Sequence, residues 1–123
     1  MIVFDFDGTR LATIVDFHSH GAFAAEMATG TGSAHIHLVQ IDAGGEIGPH
    51  VAGFGQLFLA LDGSGWVSAG DGKRVSIVRG QAAYFARGER HAKGSDDGLR
   101  ALIIQVSDLQ LCEPSPQVSP TPR

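Results

Sequence analysis

Seventeen glycines are spread through the 123 residues of this chain, and between them lie short runs rich in valine, isoleucine, leucine and phenylalanine. Glycine permits tight turns and weakens helices, so this punctuation favours many brief strands and leaves little room for helix. Strands are expected at Ile2 to Phe6, Ala34 to Asp42, Gln56 to Asp62, Gly65 to Ala69, Arg74 to Val78, Ala82 to Phe85 and Leu99 to Val106. Asp62-Gly63 and Asp71-Gly72 fall between such runs, where an Asp-Gly pair suits a hairpin turn. Only Phe17 to Thr29 has the composition of a short helix. An all-β chain is the expectation.

The length suits one domain with a real core, expected over residues 1–112. Glu113 to Arg123 holds four prolines with serine and threonine and no apolar periodicity, the composition of a disordered tail. With 43% hydrophobic and 18% charged residues the chain reads as a soluble globular protein. A net charge of -4 with nine dispersed basic residues argues against binding a phosphate backbone, so no nucleic-acid partner is expected. No apolar run approaches the roughly 20 residues that span a bilayer, and the amino terminus lacks the order of a signal peptide. No membrane partner is expected, and the expected location is cytoplasmic. The sole cysteine, Cys112, forms no internal disulfide and reads as an ordinary thiol.

Two histidines sit in glycine-bounded segments of definite spacing. The first runs Gly44, five residues, His50, one residue, Ala52, three residues, Gln56, six residues, Gly63. The second runs Gly80, five residues, Ala86, one residue, Gly88, two residues, His91, three residues, Ser95. Both spacings, in this order and close together, resemble the paired motifs of the cupin superfamily, in which the first is Gly, His-x-His, Glu, Gly and the second Gly, Pro-x-Gly, His, Asn. The resemblance covers about Ala34 to Val106 and implies a double-stranded β-helix, the jelly-roll barrel. Ala52 stands where the family has its second histidine, Gln56 where it has glutamate, Ala86 for proline and Ser95 for asparagine.

The resemblance implies a metal site at His50, Gln56 and His91, because the matching positions are ligands in metal-binding cupins. Neutral imidazoles suit a divalent transition metal such as Zn, Ni, Mn or Fe. Ala52 supplies no donor, and the Gln56 amide oxygen leaves the charge of a dication uncompensated. The other reading is a metal-free polar cluster, since an amide both donates and accepts and can satisfy two imidazoles. His35 and His37 share one face of an expected strand and are further candidate ligands, able to replace the donor missing at Ala52 if that face turns inward. If it turns outward, they meet solvent or a subunit boundary. His18 and His20 have the same spacing in a more polar setting and read as a surface turn.

Phe54, Phe58, Tyr84 and Phe85 flank the two segments and are the expected walls of a pocket for a small, partly apolar organic ligand. Gln56, Phe58 and Ala60 share one face of their strand, and Leu57, Leu59 and Leu61 the other. Both faces are largely apolar, which points to a second packed sheet or a partner subunit and so to a homodimer. Val3 to Thr9 resembles the aspartate-nucleophile motif of haloacid dehalogenase-like phosphatases, yet that fold needs a parallel sheet with intervening helices that the following residues do not supply. Two functions remain open. One is a cupin whose His-based metal and ligand pocket acts on a small organic molecule by metal-assisted or acid–base chemistry. The alternative is a non-catalytic small-molecule-binding cupin without a metal.

Overall fold

The structure is a computed structural model and describes residues 1–7 and 10–112. Its strands are β1 (Ile2–Asp5), β2 (Ala12–Thr13), β3 (Phe23–Ala24), β4 (Ala28–Ile41), β5 (Glu46–Val51), β6 (Gly55–Ser68), β7 (Arg74–Val78), β8 (Gln81–Phe85), β9 (Arg90–Gly94) and β10 (Leu99–Leu111). All pairings are antiparallel. One sheet runs β1-β8-β6-β10-β4. The other is built on the second half of β6, which pairs with β7 on one side and β9 on the other, and β9 in turn pairs with β5.

Strand β6 belongs to both sheets because it turns a corner at Asp62-Gly63. Residues Gln56 to Leu59 pair with β8, and Ser64 to Ser68 pair with β7. The hairpin turn expected at Asp62-Gly63 is therefore a bend inside one long strand. Gly63 has φ +85°, and a Cβ there would lie 2.3 Å from the Gly98 carbonyl oxygen. The second Asp-Gly pair does turn: the Gly72 N–H donates to the Ala69 carbonyl at 3.0 Å and the Lys73 N–H to the Asp71 carboxylate at 2.9 Å. This hairpin joins β6 to β7.

The register sorts side chains into two layers by their period of two. Val3, Ala83, Phe58, Ile103 and His37 stand in one row across the first sheet, facing the second sheet. Phe58, Ala83, Phe85, Ala101 and Ile103 meet Val67, Val75 and Ile77 there to form the main core. The opposite rows, Phe4, Ala82, Leu59, Leu102, Leu38 and Ile2, Tyr84, Leu57, Ile104, Ile36, form the outer face. The far end of β10 covers part of it, where Leu109 packs with Phe4, Leu57 and Ala82. The two-sided apolar pattern of β6 thus serves two layers.

The helix expected at Phe17 to Thr29 does not form. Asp16–His18 makes a single 3-10 turn, and the left-handed backbone of Phe17, His18 and Gly21 stops any continuation before β3 and β4 begin. β4 starts at Ala28 and β10 runs on to Leu111, so this pair is longer than the apolar runs within it. Strands β5 and β9 were not expected from composition. The tail expected at residues 113–123 lies outside the described residues, as do Gly8 and Thr9.

Candidate functional site

Two of the strands that were not expected, β5 and β9, carry most of the polar cluster. β5 and β9 pair so that His50 stands directly opposite His91. Their Nε2 atoms are 3.1 Å apart and their rings 4.5 Å between centroids. Two residues along β9, and hence on the same face as His91, Lys93 points into the core. Its Nζ lies 2.6 Å from Gln56 Oε1 and 3.2 Å from His91 Nδ1. The Lys93–Gln56 bond joins the two sheets, because Gln56 comes from the first half of β6.

Burial makes this cluster unusual. Lys93 and His91 are each 1% exposed and Gln56 is 2% exposed, whereas His50 is exposed. Lysine is almost never fully buried without partners, since removing an ammonium from water costs several kcal/mol. Here the partners are polar atoms on two sides and aromatic rings on two others: Nζ stands 4.8 Å from the Phe85 ring centroid and 5.1 Å from that of Phe58. Phe85 also meets His91 edge to face at 4.5 Å. Among the described residues no buried side-chain nitrogen or oxygen lacks a hydrogen-bond partner.

The partners dictate the protonation pattern. His50 Nδ1 faces the Gly48 carbonyl oxygen at 2.8 Å, and a carbonyl only accepts, so Nδ1 carries the proton. Neutral His50 then offers a lone pair at Nε2, His91 donates to it from its own Nε2–H, and His91 Nδ1 is left to accept from Lys93. A single directed chain results, from Lys93 through His91 and His50 to the surface. Its electrostatics agree with its geometry. Burial, followed by electrostatic repulsion from Lys93 and then His50, holds the His91 imidazole down from 6.5 to about 3. Burial lowers the Lys93 ammonium from 10.5 to about 7.

These residues do not fit a divalent metal. The spacing of the two imidazoles alone would suit one ion, but the Gln56 oxygen is taken by Lys93, the amine adds charge of the wrong sign, and Ala52 has no donor atom. Among the described residues no three His, Cys, Asp or Glu side chains converge where an ion would sit. His35 and His37 lie on the same sheet face as Gln56 and Phe58, by the pairings Gln56 with Gln105 and Gln105 with His35. Two strand spacings, about 10 Å, separate that row's ends, so an inward face is not enough to bring either imidazole to His50 and His91. Both stay exposed, stacked on each other, and His35 meets Phe54 edge to face at 5.5 Å.

Of the four expected pocket residues, Phe58 and Phe85 are fully buried beside the cluster. Phe54 is half-buried near the mouth. Tyr84 is not in the pocket: one residue before Phe85 on the same strand, it points to the outer face and donates its hydroxyl to the Leu109 carbonyl at 3.1 Å. The remaining motif positions are structural. Ser95 Oγ donates to the Ser64 carbonyl and accepts from the Gly98 N–H, fixing the turn into β10. Ala52 is buried and tied through its backbone to Gly88 and Glu89. Lys93 was missed because it falls between the motif positions of the second segment; recognising Arg90–Gly94 as a strand would have placed it beside His91.

Comparison with solved structures gives the arrangement its context. A conserved protein of unknown function from Streptococcus pyogenes superimposes with a TM-score of 0.58 at 22% identity, over 63% of this chain and 67% of that one. A cupin superfamily protein from Desulfitobacterium hafniense gives 0.57 at 16% identity, over 67% of this chain and 77% of its own. A cupin 2 conserved barrel domain protein from Salinispora arenicola gives 0.55 at 19% identity, over 59% and 62%. This chain has the cupin fold. At such identities the likeness to these proteins is one of fold. No protein-family model and no curated protein sequence matches the chain. No helix among the described residues is long and apolar enough to cross a membrane.

Proposed function

We propose that this cupin barrel is a metal-independent binding site for a small organic molecule, with Lys93 providing the positive charge that a metal ion would otherwise bring. The observation that carries this reading is the Lys93 amine, buried within 2.6 Å of the Gln56 oxygen at the ligand position of the first motif. A ligand with a carbonyl or carboxylate oxygen would meet Lys93 and His91 at its polar end and Phe58 and Phe85 at its apolar one. His50, exposed above His91, stands at the entrance. The place of action proposed is the cytoplasm, and the outer row of β4 and β10 is proposed as the contact of a homodimer.

The test is elemental analysis of untagged protein after incubation with Mn2+, Fe2+, Ni2+ and Zn2+, paired with thermal melting in small carboxylic and carbonyl compounds with and without chelator. The expected result is far less than one metal per chain and a rise in Tm with a ligand that chelator leaves unchanged. Near-stoichiometric metal that disappears in a His50→Ala, His91→Ala variant would sink the proposal and restore the metal reading.

A further inference from the structure

The Lys93 amine stands in an environment that does more than place a charge. Its Nζ accepts no hydrogen bond: Gln56 Oε1 takes one N–H, His91 Nδ1 takes another, and the other sides are the apolar faces of Phe58 and Phe85. An amine held by a lone-pair acceptor, in a water-poor apolar enclosure, has the parts required for attack on a carbonyl carbon. That acceptor is itself oriented, because His91 Nε2–H is held by His50 and His50 by the Gly48 carbonyl.

We propose that Lys93 is an imine-forming nucleophile for a small aldehyde or 2-oxo acid; this deepens the binding reading above and rests on the same site. The Nζ lone pair forms a bond to the carbonyl carbon while the carbonyl π pair moves to oxygen. A proton passes from the nitrogen to the carbonyl-derived oxygen within the adduct, giving the neutral carbinolamine, while His91 Nδ1 holds the remaining N–H. That oxygen leaves as water when the C–O bond breaks, with its second hydrogen drawn from the remaining N–H. The sum is amine plus carbonyl giving imine plus water, with no oxidant, reductant or metal. Lys93 is the catalytic residue, and His91 and Gln56, each bonded to the amine, are positioning residues. The carbonyl compound enters past His50, the exposed member of the four.

The chain contains two lysines, so its own Lys73, exposed in the β6–β7 turn, is an internal control. Wild-type protein is incubated with glyoxylate at pH 7 and reduced with sodium cyanoborohydride, and the modified residue is found by peptide mass mapping. The expected result is one reduced adduct per chain on Lys93, at least about ten-fold above Lys73. Lys93→Arg, which keeps a cation without a nucleophilic amine, should remove it. Adducts on Lys73 or the amino terminus with none on Lys93 would overturn the proposal. If glyoxylate raises Tm while Lys93 stays unmodified, the imine falls and metal-independent binding stands. If glyoxylate neither raises Tm nor modifies Lys93, the imine falls and the binding reading loses this ligand class.

Discussion

At the scale of the residue, one lysine decides what this barrel's interior can do. The folded chain holds Lys93 at about 7 against the ordinary lysine value of 10.5, so between those values the unfolded chain binds a proton that the folded chain does not. Stability therefore rises with pH across that window, and the penalty of burying the ammonium is fully present below pH 7. His91, lowered from 6.5 to about 3, contributes the same sign at lower pH: its stabilisation is lost as pH falls from 6.5 towards 3. Urea melts of the wild type should thus gain about 1 kcal/mol per pH unit from pH 7 to 9. Lys93→Met, which packs a thioether against Phe58 and Phe85, should remove that slope. A slope unchanged in the variant would assign it to other groups. The same residue governs metal affinity. Ala52→His, Gln56→Glu and Lys93→Ala together would complete the family's ligand set and remove the competing amine, and this triple variant should bind Ni2+ or Zn2+ near one per chain by elemental analysis. Failure to gain metal would show that more than these three side chains excludes it.

At the scale of the element, β6 is the strand on which the site depends, because it carries Gln56 and Phe58 in one sheet and pairs with β9 in the other. The corner at Gly63 makes this double membership possible. Gly63→Ala would force a Cβ against the Gly98 carbonyl at a backbone angle that L residues avoid, and should cost about 2 to 4 kcal/mol in denaturant melts. Gly72 has a similar φ of +74° with open space around it, so Gly72→Ala should cost only about 1 kcal/mol. Equal losses at both positions would mean that the close approach at the corner carries no energy. Local sequence could not distinguish these sites: both read Asp-Gly between apolar runs, and only the neighbouring Gly98 backbone separates a strand corner from a hairpin.

At the scale of the whole molecule, two layers of apolar contact organise the chain. Among the described residues the inner layer forms the main core, and the outer face is covered only in part. Ile36 is 67% exposed and Leu38 58% exposed on β4, a strand that among the described residues pairs with β10 alone. An edge with exposed apolar side chains invites a second copy. Light scattering should find dimers for the wild type and monomers for Ile36→Lys with Leu38→Lys, at unchanged far-UV dichroism. A wild-type monomer would sink the proposed contact.

The sequence by itself determined that this chain is built of strands, because glycine spacing and apolar runs act locally, but not that three of them run to 13 or 14 residues. It also placed His50, Gln56 and His91 on converging segments, because motif spacing reflects the fold that brings them together. Only the tertiary structure decided what stands between them. Lys93 reaches Gln56 across two sheets, and His35 faces inward yet remains two strands away, because both outcomes depend on the packing and register of strands distant in sequence. Tyr84 and Phe85 differ by one residue and fall on opposite sides of the sheet for the same reason: which parity faces the core is set by the strands on either side.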